Sequence, residues 1–265
     1  MLRSEYEQSK KEKPTGWDGL NSFFEHLDLG RASFINLNWD TVVEESISNR
    51  HGRIDFDYGC GARHADFPQT GTKVAVDNES AGTAVSLIKV HGSANWLYCD
   101  CCREVFWFAP DRTLEIAQQI FKPEEWNDKG IQPDVFRIQC SCAYCDNVPL
   151  GTRLATFTYL KALDSPMFRR SWATAEELLR GANRWIFIGY SLPAADYEFR
   201  YLLKRIQLSR KEKPEILILT KGRSWESMYY NYQKFFGLVV KKNNFFADGF
   251  NDRAILRLCP YGIKD

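Results

Sequence analysis

The sequence predicts an α/β fold with a mostly parallel sheet and a small cysteine-bearing module inserted into it. Short apolar runs typical of buried strands alternate along the chain with longer stretches that have the apolar spacing of helices. This alternation favours a parallel sheet, because parallel strands need helical crossovers to connect them. Between residues 96 and 150 the apolar pattern breaks, and six of the eight cysteines occur there, which indicates a separate module.

The individual elements follow from local periodicity. Helices are predicted where apolar residues recur every three or four positions, at 17–29, 42–48, 112–121, 165–180, 194–206 and 224–236. Strands are predicted where apolar runs are short and bounded by glycine, proline or polar residues, at 33–37, 84–90, 153–157, 185–188 and 215–219.

Local signals refine several of these boundaries. Gly30 would end the first helix, and either Asp40 or Thr41 could cap the second. Residues 49–82 are rich in glycine, aspartate and histidine and are predicted to be loop-like. The continuous apolar run Trp185–Ile188 predicts a strand that is covered on both faces.

The composition excludes some classes of partner. The 265-residue chain carries 35 basic and 34 acidic residues, a net charge of +1, so no nucleic-acid or anionic-membrane partner is expected. No apolar run approaches the roughly 18 residues of a membrane span. Residues 1–14 are polar and do not resemble a secretory signal, so a cytoplasmic location is expected. Aromatic residues in the last third would suit a homo-oligomer interface as well as a core.

Two cysteine pairs have the spacing of metal ligands. Cys99 and Cys102 form one pair, and Cys142 and Cys145 form the other. Each turn can direct two thiolates at one tetrahedral ion, so the two pairs together predict a structural zinc site. The alternative is a set of buried free thiols. The other cysteines have no assigned role, although those beside the pairs could replace a ligand: Cys60, Cys101, Cys140 and Cys259.

Three predicted strands end in small or polar residues, namely at Asn38-Trp39-Asp40, His91-Gly92-Ser93 and Gly189-Tyr190-Ser191-Leu192. Ligands of parallel α/β sheets bind outside the carboxyl ends of the strands. Gly189 permits close approach to the backbone, Ser191 can hydrogen-bond a phosphate or ribose, and the helix near Ala194 offers its N-terminal amides to an anion. Each feature alone has a structural explanation, because a strand-end asparagine is usually a turn residue and a lone histidine is usually a satisfied core or surface group.

Taken in this order, the motifs resemble the sirtuin (silent information regulator) family. Asn38-Trp39-Asp40, His91-Gly92, the paired cysteines and Gly189-Tyr190-Ser191-Leu192-Pro193 follow one another as they do in that family. The stretch that starts at Phe187 is most similar to the bacterial subgroup found in antiphage defence proteins. The resemblance covers residues 30–258 and implies a Rossmann-like NAD-binding domain with a small zinc-bearing lobe.

The resemblance implies a role for each matching residue. Asn38 would align a water or a hydroxyl of the nicotinamide ribose, and Asp40 would contact the nicotinamide carboxamide. His91 would be the general base, a task that suits histidine because it titrates close to neutral pH. Further residues would hold the phosphates and riboses of NAD: Gly189, Ser191, Leu192 and Thr220.

The resemblance also implies a domain organisation. Residues 1–15 would be a lead-in, 16–95 and 151–265 would form the Rossmann-like domain, and 96–150 would form the zinc module. Members of the family begin with a strand that runs into a glycine-rich turn, which cradles the pyrophosphate, and then carry an arginine-containing loop over the cofactor. Neither the strand–turn unit nor this loop precedes Asn38. We therefore expect an N-terminally incomplete domain, whose missing segment is absent or lies on a partner chain.

Three functions are compatible with these motifs. The favoured one is hydrolysis of NAD to nicotinamide and ADP-ribose, with a role in antiphage defence. The second is NAD-dependent protein deacylation, which uses the same residues but needs a peptide-binding strand, and no convincing one follows residues 153–160. The third is an incomplete or degenerate nucleotide-binding domain without activity, which the missing glycine-rich turn supports.

Overall fold

The computed structural model describes residues 15–66, 73–77, 84–113, 140–146, 148–155, 165–222 and 225–260. The chain divides into two compact units. One is Ser33–Thr174, and the other combines Ala175–Asp265 with the segment that ends at Ala32. Among the described residues, no helix has the length and apolar character needed to cross a membrane.

The described helices are α1 (Thr15–His26), α2 (Val42–His51), α3 (Pro166–Gly181), α4 (Tyr197–Ser209), α5 (Trp225–Phe236) and α6 (Asp252–Leu258). The described strands are β1 (Phe34–Asn36), β2 (Asp55–Asp57), β3 (Arg63–Asp66), β4 (Ala75–Val76), β5 (Ala84–Lys89), β6 (Trp96–Tyr98), β7 (Val105–Trp107), β8 (Arg184–Ile188), β9 (Glu215–Leu219) and β10 (Phe245–Phe246).

A parallel sheet in the first unit carries the first two of the predicted strand ends. Its strand order is β1-β5-β2, so the apolar strand β5 is central. Leu87, Ile88 and Val90 are fully buried, as expected where a strand pairs on both edges and is covered on both faces. β1 and β5 run in register from Phe34 opposite Leu87 to Asn36 opposite Lys89.

A second sheet in the first unit holds the cysteine-bearing module. Its order is β4-β3-β7-β6, with β6 antiparallel to β7. The prediction that residues 49–82 are loop-like is wrong at the end of α2 and at β2, β3 and β4, and it is confirmed for residues 52–54 and 58–62. β3 has no apolar run of its own, and it becomes a strand by pairing with β7 about forty positions later in the chain. Local periodicity does not report such a pairing.

The second unit contains the other parallel sheet, with the order β10-β9-β8. The central strand β9 is buried from Ile216 to Leu219, as its apolar sequence predicts. β8 was predicted to be covered on both faces, and this is wrong at Ile188, which is 43% exposed. Side chains alternate between the two faces of this strand: Trp185 and Phe187 are buried on one face, whereas the face of Ile186 and Ile188 is only partly covered.

The predicted order of elements agrees with the structure over most of the described chain. Five predicted helices correspond to α1 through α5, and the mixed α/β fold class with parallel sheets is confirmed. α6 and β10 were not predicted. Residues 153–155 are not in a strand, and the remainder of the predicted strand at 153–157 lies outside the described residues. So does most of the predicted helix at 112–121.

Candidate functional site

The carboxyl ends of β1 and β5 lie side by side in the first unit. Asn36 pairs with Lys89 at the last position of both strands, so the chain leaves this edge at neighbouring points. Asn38 and Asp40 follow β1, and His91 follows β5. The three residues that the resemblance assigns to the nicotinamide and its ribose therefore follow adjacent strand ends.

His91 is held by backbone and ring contacts with neighbouring segments. Its Nδ1 lies 3.1 Å from the carbonyl oxygen of Leu37, and its own carbonyl accepts from the Ala155 amide at 2.9 Å. The indole of Trp172 lies near its ring, at 6.2 Å between centroids, and donates to the Val90 carbonyl at 3.1 Å. His91 is 4% exposed, so both the position and the orientation of the imidazole are defined by packing.

The contact with Leu37 also defines the tautomer of His91. A carbonyl oxygen can only accept a hydrogen bond, so Nδ1 carries the proton in this contact. In the neutral imidazole, Nε2 is then the nitrogen that holds the lone pair. This is the protonation pattern that a general base requires.

The loop after β1 is shaped by its own polar side chains. The backbone amide of Asn38 donates to Asn36 Oδ1 at 2.9 Å, and the Asn38 side chain is exposed. The Val42 amide donates to Asp40 Oδ1 at 3.2 Å, whereas Thr41 makes no capping hydrogen bond. Of the two predicted caps, Asp40 is thus the one that binds an amide of the first turn of α2.

A second group of predicted residues lies at the carboxyl ends of β8 and β9, in the second unit. Ile188 pairs with Leu219 at the ends of these strands, and the Gly189 amide donates to the Leu219 carbonyl at 2.9 Å. Gly189 has a φ of +65° and open space where a Cβ would be. Together with the exposed Ser191, it presents backbone and a hydroxyl that a ligand could contact.

The loop from Gly189 to Pro193 is fixed from behind by side chains of α4 and α5. Arg200 Nη1 donates to the Leu192 carbonyl at 2.5 Å, and Tyr232 Oη donates to the Tyr190 carbonyl at 2.7 Å. Tyr190 Oη in turn donates to Asp196 Oδ2 at 2.7 Å. The phenolic pKa of Tyr190 is raised, chiefly by burial and then by this carboxylate, so the hydroxyl remains a donor.

Two features of this loop change what the sequence predicted. Leu192 is 2% exposed, so a contact from this residue to a ligand would come from its backbone. The helix begins at Tyr197 and not near Ala194, and the buried Asp196 stands at its N-terminus. An anion at that terminus would face this carboxylate, which opposes the predicted contribution of the helix amides.

Thr220 follows the carboxyl end of β9 directly. Its amide donates to the Phe246 carbonyl and its carbonyl accepts from the Gly249 amide, both at 2.8 Å. Thr220 is 8% exposed. Its role at the adenosine ribose stays a prediction from the resemblance.

The four predicted metal ligands come together in the first unit. The Sγ atoms of Cys99, Cys102, Cys142 and Cys145 all lie within 4.8 Å of one another. Cys99 and Cys145 are 3.9 Å apart, and Cys102 and Cys142 are 3.6 Å apart. These distances are far longer than the roughly 2.05 Å of a disulfide bond.

The cluster fits zinc. A tetrahedral site with zinc–sulfur bonds of about 2.3 Å separates its sulfur atoms by roughly 3.8 Å, close to the distances between these thiols. The Tyr144 amide points to Cys142 Sγ at 3.4 Å and would stabilise a thiolate there. Burial raises the pKa of Cys99, but the amides of Cys102 and Cys101 outweigh it and leave that pKa below its ordinary value. Burial and the neighbouring thiols raise the pKa of Cys145, so a cation would favour ionisation of the whole set.

The choice among the neighbouring cysteines follows from packing. Cys101 is exposed and lies outside the group of four, while Cys140 is buried in the apolar core of the module. That core contains residues from within the predicted module and from the stretch before it: Ala65, Val74, Leu97, Cys99, Phe106, Phe108, Cys140 and Cys142. The module therefore packs on residues well before position 96, and the predicted domain boundaries stay a prediction.

Sequence reasoning missed a buried ion pair beside the first strand ends. Lys89 and Glu44 are both fully buried, with Nζ and Oε1 2.9 Å apart. The signal for it is a lysine inside the apolar run Leu87-Ile88-Lys89-Val90, since an unpaired lysine is almost never fully buried.

Comparisons with known proteins are sparse. No protein family and no curated protein sequence matches this chain. A solved structure titled "Structural Basis for the Mechanism and Regulation of Sir2 Enzymes" is similar, with a TM-score of 0.43 and 12% sequence identity. The similarity covers 98% of this chain and 78% of the other. A likeness this distant defines neither the family nor the substrate of this chain, and the bacterial subgroup likewise stays a prediction from the motifs.

Proposed function

We propose that this chain is a sirtuin-type enzyme that hydrolyses NAD to nicotinamide and ADP-ribose. The observation that carries the proposal is the His91 imidazole, whose Nδ1 is bound to Leu37 beside the loop that presents Asn38 and Asp40. The order of motifs along the chain supports the same substrate. Zinc and NAD are the two groups that the proposal requires, the first as a structural ion and the second as substrate.

The proposed reaction breaks the bond between nicotinamide and C1′ of its ribose. Nicotinamide leaves with the bonding electron pair, and positive charge develops on the ribose. A water oxygen then bonds to C1′ and loses a proton to Nε2 of His91, the nitrogen that holds the lone pair when Nδ1 is protonated. The products are nicotinamide, ADP-ribose and one proton, which His91 releases to solvent.

Asn38 and Asp40 are proposed to orient the reacting groups, namely the attacking water, the ribose and the nicotinamide. The exposed side-chain amide of Asn38 can both donate and accept, as positioning a water or a ribose hydroxyl requires. Asp40 keeps its second carboxylate oxygen for the nicotinamide carboxamide, because Oδ1 already accepts from the Val42 amide. Holding reactants in a productive geometry contributes a large share of a rate enhancement of this kind.

The remainder of NAD is assigned to the loop after β8. Gly189 allows close approach of a phosphate, Ser191 offers a hydroxyl, and Thr220 is assigned to the adenosine ribose. The contacts of Arg200 and Tyr232 with the loop carbonyls would keep the loop in one conformation before substrate arrives.

The cysteine cluster is assigned a structural role. Cys99, Cys102, Cys142 and Cys145 would hold zinc, and four thiolates fill a tetrahedral ion so that no position remains for substrate. Bound zinc would tie the turn after β6 to the turn near residue 142.

Nicotinamide release from NAD tests the proposal. We expect release by the wild-type chain and a loss of at least about 100-fold in His91→Ala, the usual scale for removal of a general base. His26→Ala is a matched control, because His26 also places Nδ1 on a backbone carbonyl, that of Ser22, at 2.7 Å. Release by His91→Ala at the wild-type rate would refute the mechanism, and no release by the wild type would refute the activity.

We further propose that the enzyme acts in the cytoplasm in antiphage defence, as the resemblance implies. The expected result is a fall in cellular NAD during phage infection of cells that express the wild-type chain, with no fall in cells that express His91→Ala. An equal fall in both would refute this role and leave the activity in purified protein to stand on its own test.

A further inference from the structure

Strand β5 carries a charged side chain into the interior of the first unit. Lys89 and Glu44 have 0% exposed side chains, and Lys89 Nζ lies 2.9 Å from Glu44 Oε1. Tyr58 Oη donates to the same oxygen at 3.4 Å, and burial raises the pKa of this phenol well above its ordinary value, so it stays protonated. Glu44 Oε2 has no hydrogen-bond partner among the residues that the structure describes.

A pair of this kind needs a reason other than stability. Removing two charges from water is expensive, and well-packed apolar residues in their place are often neutral or stabilising. The unpartnered oxygen of Glu44 adds to that expense. In some proteins a buried ionic or polar group instead specifies one arrangement of the chain.

Lys89 contacts the loop that follows β1 and can therefore fix its position. Lys89 Nζ donates a second hydrogen bond, to the backbone carbonyl of Asp40. Lys89 also stands two residues before His91 on the same strand end and pairs across the sheet with Asn36. One side chain thus connects the strand that carries the proposed base with the loop that carries the two proposed orienting residues.

We propose that Lys89 is a positioning residue, which holds the Asp40 carbonyl and thereby sets the loop of residues 38–41 relative to His91, while Glu44 serves as its buried counter-charge. This inference rests on the proposed function for its effect on rate, but the loop contact itself does not depend on any activity. The Ala94 amide, which donates to the Trp39 carbonyl at 2.8 Å, supports the same loop from the other side.

The test separates position from stability with three variants. Glu44→Gln leaves the Lys89 contact with Asp40 but removes the counter-charge, so it lowers the melting temperature. Lys89→Met combined with Glu44→Leu replaces the buried pair with apolar side chains, a change that is often neutral or stabilising, but it leaves the Asp40 carbonyl without its donor. Ile47→Ala, a fully buried position on the same helix, is the control for a loss of stability that keeps the Lys89 hydrogen bond to the Asp40 carbonyl.

We expect stability and activity to run in opposite orders. The double variant is the more stable of the two charge variants, yet its kcat falls by about 10- to 100-fold with a smaller change in KM, as displaced reacting groups produce. Glu44→Gln is less stable but keeps more activity than the double variant, and Ile47→Ala keeps wild-type kcat below its melting temperature. Activity that simply follows stability across the three variants would overturn the inference.

Hydrogen–deuterium exchange gives the readout that is independent of NAD. The amides of residues 38–42 and of Ala94 should exchange several-fold faster in the double variant, while those of β5 remain protected. If exchange rises as expected but the wild-type chain releases no nicotinamide, the positioning contact stands and the proposed function falls. If the wild type is active and the double variant changes neither exchange nor kcat, the positioning role falls and the proposed function stands.

Discussion

Gly92 follows the proposed base directly. Its replacement tests whether close packing of this strand end against the backbone of Arg153 contributes to stability. Its φ is +88°, a left-handed conformation that costs other residues roughly 1–2 kcal/mol. A Cβ at this position would lie 2.6 Å from the carbonyl oxygen of Arg153. Ordinary contact begins at 3.4 Å, so the backbone near Arg153 would have to move by about 0.8 Å.

That movement would be felt at His91. The Ala155 amide, two residues after Arg153, donates to the His91 carbonyl at 2.9 Å, and a net hydrogen bond of this kind is worth about 1 kcal/mol. Adding the conformational cost and the lost hydrogen bond, we expect Gly92→Ala to lower the free energy of unfolding by about 2–3 kcal/mol. Nicotinamide release should fall as well, because the base is displaced.

Gly237→Ala is the matched control for this substitution. Gly237 has a φ of +79° and nothing within 4 Å of the added carbon, so the loss there should be the conformational term alone, about 1–2 kcal/mol. Urea unfolding, followed by tryptophan fluorescence, measures both losses. Equal losses in the two variants would refute the reasoning, since the close approach to Arg153 would then contribute nothing.

Two further predictions concern the metal centre and a surface carboxylate. The purified chain should hold one zinc ion per molecule. Cys142→Ser should release the zinc ion and lower the melting temperature by about 10 °C, which corresponds to roughly 3–4 kcal/mol for a domain of this size. Cys101→Ser is the control and should keep the ion in the same metal analysis. Burial would raise the pKa of Glu215, but Arg184 and Arg257 hold it below its usual range. The resulting stabilisation is full above the unfolded carboxyl pKa of about 4.3 and is lost as pH falls through the lower folded value, so Glu215→Gln should reduce the acid dependence of unfolding. A wild-type dependence in Glu215→Gln would show that these arginines do not act through this carboxylate.

The sequence was most informative where structure is local. Periodicity predicted the central strands β5 and β9 and the helices that follow β8 and β9. Each of these elements carries enough buried apolar residues within its own sequence to produce a clear pattern. The cysteine spacing was informative for a similar reason: a two-residue gap already brings two thiols to one turn. The four Sγ atoms do converge, although a long intervening stretch separates the pairs.

Non-local pairing is where the sequence was least informative. β3 reads as a polar loop and becomes a strand through its pairing with β4 and β7, and Ile188 is exposed on a strand that pairs with β9 alone among the described strands. The start of α4 was placed too early because Asp196 occupies the capping position, where its side chain binds Tyr190 rather than a helix amide. In each case the deciding contact is made by a residue from another element.

The buried pair of Lys89 and Glu44 shows why a candidate site is harder to read than a fold. Lys89 was conspicuous in an apolar strand, but its partner lies 45 positions earlier on α2, among other charged residues that look like an exposed face. Only the register of β1 against β5 brings the lysine to Asp40, and neither residue carries a motif that records this. Residues proposed to touch the substrate can thus be found from sequence motifs. A residue that positions them can be found only in the structure, where the burial of its charge calls for an explanation.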